Sequence, residues 1–160
     1  MSAAPDDIHY GVVSPEEQRA LSGLEFVQAM VDGRLPHNAM ARTLGYRITS
    51  AAPGQVVITA QPGSAHFNPA GTVHGGLSAT LLDSCMGLAV QTMLATGWAQ
   101  TTLEFKIAFT RPITAQTGLI TAVGSVLSHG RRVGTAEGRV ADAQGRLLAH
   151  GTTTCLIFEP

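Results

Sequence analysis

Charged residues are scarce in this chain of 160 residues. They make up 13% of the sequence, where roughly 25% is usual for a soluble domain. A chain with so few charges is expected to hide much of its surface, so the composition predicts an oligomer. The formal net charge is −1 and no basic run is present, so we expect no nucleic-acid partner.

Cysteine is equally rare. Cys85 and Cys155 lie in apolar segments without the spacing of metal ligands, which predicts reduced core thiols, a cytoplasmic location and no metal site.

The first ten residues carry Asp6 and Asp7 and no basic region, which is not typical of a signal peptide. The apolar run Leu77–Leu94 is interrupted by polar residues and glycine, so we expect no segment that spans a membrane.

The first part of the chain predicts helical structure. We assign residues 1–40 to an N-terminal arm and helix, and residues 41–160 to the main domain. Ser14, followed by proline and two glutamates, is typical of a helix start, because serine caps free N–H groups and the acids favour the positive end of the helix dipole. The apolar spacing continues to Val31, and Gly23 is a point at which the helix can divide.

Beyond this segment the hydrophobic pattern changes from helical to alternating, which predicts strands. One long helix, residues 75–95, interrupts them after a turn-rich loop, and Gly97 is placed to end it. The six strands are expected at residues 44–51, 54–61, 102–109, 118–128, 131–141 and 146–158. The third strand has apolar residues at every second position, namely Leu103, Phe105, Ile107 and Phe109.

This order of elements predicts an α+β fold. A long central helix would be wrapped by a curved antiparallel sheet of about six strands, with an extra N-terminal helix. The central helix is apolar on every side, so it must be covered on every side. One sheet reaches only part of it, so we expect a second copy of the chain to cover the remainder, in a homodimer or in a homotetramer built as a dimer of dimers.

Asp83 is the only formally charged residue between Ile48 and Leu103. Burying an unpaired carboxylate is costly, so this acid predicts either a catalytic role or hydrogen bonds to neighbouring backbone. Gly75 and Gly76 stand at the helix start, where free N–H groups and the helix dipole favour developing negative charge. A tight turn would explain the same two glycines.

Two polar residues precede the helix. Asn68 lies in the loop, with an amide that can donate to a carbonyl or hold a water molecule. His74 is a candidate base, although a structural role at the helix cap is the favoured interpretation.

The spacing of these residues closely resembles the PaaI-like hotdog thioesterases of the 4-hydroxybenzoyl-CoA thioesterase superfamily. The shared motif comprises Asn68, Gly71, Val73, His74, Gly75, Gly76, Ala79 and Asp83. The resemblance extends to residues 101–112, 130–132 and 145–151 and covers about residues 44–158. It implies the hotdog fold, hydrolysis of an acyl-CoA thioester to a carboxylic acid and free CoA, and no cofactor beyond the CoA of the substrate.

The same resemblance implies roles for five residues. Asp83 would act as general base on water or as nucleophile on the thioester. The amide of Gly75, with His74 in the same motif, would polarise the thioester carbonyl. Asn68 would position the thioester or the water and would face Asp83 from the other subunit of a dimer. Thr102 matches a position where some relatives carry a hydroxyl near the water.

CoA recognition is expected from cations at strand ends and turns. The resemblance implies Arg111, Arg131 and Arg132 for the phosphates, although solvated charges at turns explain them equally. Gly76 and Gly130 are assigned to the same binding site.

One departure from the family concerns the water. Gly87 stands where some relatives carry a threonine that holds it, so another group must do so here, with Thr102 and Asn68 as candidates. A pocket for the acyl group is expected from Leu82, Met86 and Val90 together with a partner chain.

Two rival functions remain open. His66 and Phe67 superficially resemble the His-Phe of hotdog dehydratases and hydratases, but that branch pairs its histidine with a closer glutamate. A non-catalytic acyl-CoA sensor on the same fold is the second rival, and it would not need Asp83 and Asn68.

Overall fold

A computed structural model describes residues 8–160. The beginning of the predicted arm, including Asp6 and Asp7, lies outside the described residues. Three short helices come first: α1 (Pro15–Ala20), α2 (Gly23–Val31) and α3 (Ala39–Leu44). Strands β1 (Tyr46–Ala52) and β2 (Gln55–Ala60), a 3₁₀ turn (Ser64–His66) and helix α4 (Gly75–Gln91) follow. Four longer strands complete the chain: β3 (Ala99–Phe109), β4 (Ile120–His129), β5 (Val133–Asp142) and β6 (Leu147–Phe158).

The six strands form one antiparallel sheet in the order β1-β2-β4-β5-β6-β3. Helix α4 contacts all six of them, so the sheet wraps around the helix. The predicted α+β fold, a long helix wrapped by a six-stranded antiparallel sheet, is confirmed. No helix within residues 8–160 is both long and apolar enough to cross a bilayer.

Close packing between α4 and the sheet depends on small residues in the strands. The side chains of α4 that face the sheet are fully buried, and they are Leu81, Leu82, Cys85, Met86, Ala89 and Val90. Gly124 on β4 lies against the helix backbone, where a Cβ atom would come within 2.3 Å of the carbonyl oxygen of Cys85. A side chain at this position would therefore push the helix away from the sheet.

Gly124→Ala is expected to destabilise the fold, because the added methyl group has no flexible neighbour to displace. Overpacking of this kind costs about 1–3 kcal/mol. Chemical denaturation measures the free energy of unfolding. Gly63→Ala is the matched control, since a Cβ there meets nothing within 4 Å. Equal stability of the two variants would contradict the close contact.

The N-terminal helices are held onto α4 at its C-terminal end. Ser14 and Ser22 each form a capping box with the glutamate three residues later, which starts α1 and α2 separately. The predicted division at Gly23 is therefore confirmed. Gly23 donates its N–H to the carbonyl of Leu94, and a Cβ on it would come closer than van der Waals contact to the carbonyl oxygen of Gln91.

Several predicted boundaries were wrong. The first strand begins at Tyr46 and not at residue 44, because Asn38 caps α3 and Gly45, at φ 65°, ends it. Helix α4 ends at Gln91 and not near residue 95. The hydroxyl of Thr92 bonds to the carbonyl of Ala89 and accepts the N–H of Gly54, which fixes the helix end against the turn between β1 and β2.

Strand β3 lies at one edge of the sheet and begins at Ala99, three residues earlier than predicted. Its pairing with β6 shifts register between Thr102 and Glu104, so Leu103 is an extra residue at a β-bulge. The bulge reverses the alternation. Gln100 and Thr102 face α4 before it, and the aromatic residues at 105 and 109 face the helix side after it.

His37 anchors the chain that precedes α3. Its backbone exchanges hydrogen bonds with His9 and Gly11, and its side chain is 2% exposed, with Nε2 at 3.1 Å from the carbonyl oxygen of Met30. Burial lowers the pKa of His37, and the nearby charges of Arg47 and His9 lower it further, against the opposing effect of the Met30 carbonyl. The buried ring is thereby kept neutral.

Stability is expected to fall as pH falls below the ordinary histidine pKa of 6.5. In that range His37 is protonated in the unfolded chain and neutral in the folded chain, which favours unfolding. The loss of stability continues until the pH reaches the lowered pKa of His37 in the folded state. Above pH 6.5 both states carry the neutral ring and this contribution vanishes. Denaturation of wild type and His37→Phe between pH 8 and pH 5 measures the slope, and an unchanged slope in the variant would refute the assignment.

Candidate functional site

Asp83 lies at the base of a cleft and is not enclosed in the core. The side chain is half-buried on α4, and Thr102 on β3 donates its hydroxyl to Asp83 Oδ1 at 2.9 Å. The cleft has a volume of about 390 Å³ and includes Gly87, Leu88 and Gln100 among its lining residues. A carboxylate in this position can meet a ligand from solvent.

The opposite wall of the cleft comes from the N-terminal region, to which the sequence analysis gave no role in the site. Its lining residues from this region are Gly11, Val12, Val13, Gln18, Phe26, Met30, Pro36 and Asn38. Most are apolar, so the cleft presents one carboxylate against a largely apolar wall. The sequence carried no signal for this contact, since the docking depends on the distant end of α4.

The expected acyl pocket residues lie elsewhere. Leu82, Met86 and Val90 are completely buried, and they pack against the sheet, where glycines 134 and 138 make room for them. The pocket prediction is wrong because these three residues share the sheet side of α4, whereas Asp83 and Leu88 line the cleft.

The start of α4 is built by His74. Its side chain caps the helix, with Nδ1 accepting the N–H of Gly76 at 2.9 Å, so the amide of Gly76 is occupied. The N–H of Gly75 has no hydrogen-bond partner among residues 8–160. Gly75 lines a second cleft with Phe109 and Arg111, and this amide is free to meet a ligand oxygen.

Asn68 fixes the loop in front of α4. Its side-chain oxygen accepts the N–H groups of Ala70 at 2.9 Å and Thr72 at 3.2 Å. Its amide nitrogen donates to the hydroxyl of Thr72 at 2.9 Å. One amide proton therefore remains for a ligand, and the structure gives Asn68 a structural use as well.

Gly75 and Asp83 do not meet within one chain. They stand eight residues apart on α4, which corresponds to about 12 Å along the axis at 1.5 Å per residue. They also line different clefts. One thioester carbonyl cannot contact both groups in a single copy of the chain.

The candidate cations are also divided between the two ends of the molecule. Arg111 lines the Gly75 cleft and donates to the carbonyl of Leu147 at 2.8 Å. Arg131 and Arg132 line a third cleft, of about 520 Å³, beside the turn at Gly130. This turn adjoins the C-terminal half of α4, so a single chain does not bring the three arginines together.

Both cysteines are unsuited to nucleophilic attack. Burial raises the pKa of Cys85 to about 12, and burial also raises the pKa of Cys155. Neither thiol forms a disulfide. Both thiols therefore stay protonated, and neither cysteine lines the cleft of Asp83.

Comparisons with known proteins show the family to which the chain belongs. The family model described as the thioesterase superfamily matches residues 70–149. Acyl-coenzyme A thioesterase 13 of Homo sapiens is 31% identical over 134 residues, covering 81% of this chain and 90% of the relative. Both matches include the helix start and Asp83.

Solved structures share the fold. A phenylacetic acid degradation-related protein from Ralstonia eutropha JMP134 superposes with a TM-score of 0.74 at 30% identity, covering 82% of this chain and 98% of that one. The PaaI protein of E. coli gives a TM-score of 0.74 at 23% identity, covering 86% and 96% of the two chains, and supports the fold alone. The predicted resemblance is confirmed: the chain belongs to the thioesterase superfamily, has its hotdog fold and is a thioester hydrolase.

Proposed function

We propose that the protein hydrolyses an acyl-CoA thioester to a carboxylic acid and free CoA. The observation that carries this proposal is the half-buried Asp83 carboxylate, held by Thr102 at 2.9 Å in an open cleft. The human relative is an acyl-coenzyme A thioesterase, which supports CoA as the thiol.

The contacts of Asp83 favour attack through one of its oxygens. The hydroxyl of Thr102 occupies Oδ1, so Oδ2 is left to accept a proton from water or to attack the carbonyl carbon itself. In the first case water adds to the carbonyl carbon, the C–S bond breaks, and the proton taken by Asp83 passes to the departing thiolate. In the second case Oδ2 attacks the carbonyl carbon and the C–S bond breaks, which releases the CoA thiolate and leaves an acyl–Asp83 anhydride. Water then hydrolyses the anhydride to the carboxylic acid and free Asp83, and the proton released in this step balances the thiolate.

The free amide of Gly75 is suited to the carbonyl oxygen. Its N–H stands at the positive end of the α4 dipole and has no partner among the described residues. Negative charge develops on the carbonyl oxygen as the tetrahedral intermediate forms, and such an N–H stabilises it. His74 supports this arrangement, because its Nδ1 caps the helix at the N–H of Gly76 and leaves the N–H of Gly75 without a partner in the described part of the chain.

We propose that two chains build each active site. The outer edge of β3 has no strand partner among residues 8–160, and it exposes Leu103, Phe105 and Phe109. Apolar edges of this kind require a cover. Antiparallel pairing of two β3 strands would place the Phe109 end of one chain beside the Ala99 end of the other, so Gly75 and Asn68 would face Asp83 and Thr102 of the partner subunit.

The same pairing explains the division of the arginines. It would bring Arg111 at the Phe109 end towards Arg131 and Arg132 of the partner subunit, at the opposite end. Together they would form a cationic rim for the CoA phosphates, with Gly130 in the turn that carries two of them. Dimers and tetramers built as dimers of dimers both contain this arrangement.

Further expectations accompany this proposal. We expect a cytoplasmic location, no nucleic-acid or membrane partner, and no cofactor beyond the CoA of the substrate. The two cysteines without a disulfide support the first expectation. The formal net charge of −1 supports the absence of a nucleic-acid partner.

The dehydratase alternative is disfavoured by the position of His66. Its Nδ1 accepts the N–H of Gly63 at 3.0 Å, and its Nε2 lies 3.0 Å from the carbonyl oxygen of Leu44. The ring is therefore engaged by the backbone on both nitrogens. The sensor alternative is disfavoured by Asp83, since a binding site gains nothing from a carboxylate beside a thioester.

Asp83→Asn is expected to reduce thiol release from acyl-CoA by about 10³-fold or more, because the amide can neither take a proton nor attack the carbonyl. A thiol-trapping assay on a panel of aromatic and medium-chain acyl-CoA substrates gives kcat and KM. Asp32→Asn is the matched control, as it makes the same change at an exposed helix end. Turnover of the Asp83 variant near wild type would refute the mechanism, and tight acyl-CoA binding by the wild type without thiol release would establish the sensor.

Gly75→Pro is expected to lower kcat by about 10²–10³-fold, because proline removes the N–H and is otherwise tolerated at the first position of a helix. Gly75→Ala is the control, since it adds the same Cβ near the exposed ring of Phe109 and keeps the N–H.

If each site takes Gly75 from one chain and Asp83 from the other, co-expressed Gly75→Pro and Asp83→Asn chains are expected to recover about a quarter of wild-type activity. Half of the dimers are then mixed, and each mixed dimer has one intact site of two. Recovery no higher than either parent would place both groups in one chain.

A further inference from the structure

Gln100 carries the one buried side-chain group in the Asp83 cleft, within residues 8–160, that has no hydrogen-bond partner. It lies on β3 two positions before Thr102, and both side chains face α4. Its Oε1 atom is inaccessible to solvent and unpartnered. A buried acceptor without a hydrogen bond is costly, so this oxygen requires a partner that residues 8–160 do not supply.

The helix leaves room for this carboxamide. Gly87 follows Asp83 by about one turn, and a Cβ built on it would lie 3.3 Å from Gln100 Nε2 and 3.6 Å from Thr102 Oγ1. The absence of a side chain at residue 87 therefore opens a small polar space bounded by Gln100, Thr102 and Asp83. A glycine inside a helix is less stable than an alanine there, which is consistent with a use for that space.

The N-terminal helices shield Gln100 from bulk water. Gln18 and Phe26 line the Asp83 cleft and also a neighbouring cleft of about 280 Å³, and Gln100 lies between the two. A single water molecule held under this cover would keep a fixed orientation, as it would not exchange partners with solvent.

Resting on the proposed function, we infer that Gln100 orients the water that attacks the thioester. The water donates one hydrogen bond to Asp83 Oδ2 and the other to the carboxamide oxygen of Gln100, which a half-turn about its terminal torsion brings to the space beside Gly87 where Nε2 stands. A lone pair of the water is then left for the carbonyl carbon. As the new C–O bond forms, Asp83 takes the proton of the first hydrogen bond; it then passes that proton to the sulfur as the C–S bond breaks. Gln100 itself is not protonated and acts as a positioning residue. If Asp83 forms an anhydride first, the same water attacks it in the second step.

Gln100→Leu tests this role, since it keeps the volume and removes both hydrogen-bonding ends. We expect kcat for thiol release to fall by about 10–100-fold while KM changes by less than about 3-fold, because the water loses its orientation and the substrate keeps its contacts. The melting temperature is expected to stay the same or rise, since an unpaired acceptor disappears. A purely structural glutamine would instead lose stability together with activity.

Gln100→Glu is the conservative variant. It keeps an acceptor at the same place, so kcat is expected to recover to within about 5-fold of wild type at high pH. The new carboxylate lies near Asp83 and repels its negative charge, so the kcat of this variant is expected to depend more strongly on pH than that of the wild type. Gln91→Leu is the matched control, because Gln91 is half-buried and lines the neighbouring cleft, away from Asp83.

The outcomes separate this inference from the proposed function. Three results would overturn the role of Gln100 while Asp83→Asn remains inactive. The first is a wild-type kcat in Gln100→Leu, and the second is a change in that variant confined to KM for particular acyl groups. The third is a Gln100→Glu variant with a kcat no higher than that of Gln100→Leu. Failure of the wild type to release thiol, or full activity of Asp83→Asn, would instead refute the proposed function.

Discussion

The close contact between α4 and the strand glycines is the constraint from which the rest of the structure follows. Gly124 lets the backbone of the helix approach β4, and Leu82 and Met86 fill the space left by glycine on β5. This contact fixes which side of α4 faces the sheet. Asp83 lies on the side that remains, where the N-terminal helices and β3 bound a cleft. The acid is thus accessible because the sheet wraps only part of the helix.

Local patterns in the sequence were sufficient for the centres of the six strands and of α4, but they missed α3 and misplaced several element ends. Alternation predicted six strands, and the glycines after His74 predicted where α4 begins. The end of α4 depends instead on Thr92 and Gly54, which are distant in sequence and meet only in the folded chain. The same applies to the docking of Gly23 against Gln91, which decides that the N-terminal region lines the cleft. Periodicity holds no information about such contacts.

The β-bulge at Leu103 explains why the candidate site was only partly predictable. Strict alternation back from Phe109 groups Leu103 with the apolar face of β3 and turns Thr102 outward. One extra residue reverses this and directs Thr102 and Gln100 at α4. The role of Thr102 entered through the family resemblance. Gln100 had no such support. The one feature of the sequence that relates to it is Gly87, a glycine in the middle of a buried helix. This glycine can be interpreted only once α4 and β3 are known to be neighbours.

The separation of Gly75 from Asp83 joins observations that look unrelated in the sequence. A straight helix cannot bring residues eight positions apart to one atom, because its rise per residue is fixed. A two-fold arrangement can, since each chain then supplies the amide for one site and the acid for the other. Such an arrangement would form at the exposed apolar edge of β3. The low content of charged residues is consistent with a large interface between two copies of the chain. Under the proposed two-chain site, scarcity of charge, an uncovered strand and the separation of Gly75 from Asp83 would share one explanation, which is that a second copy of the chain completes the site.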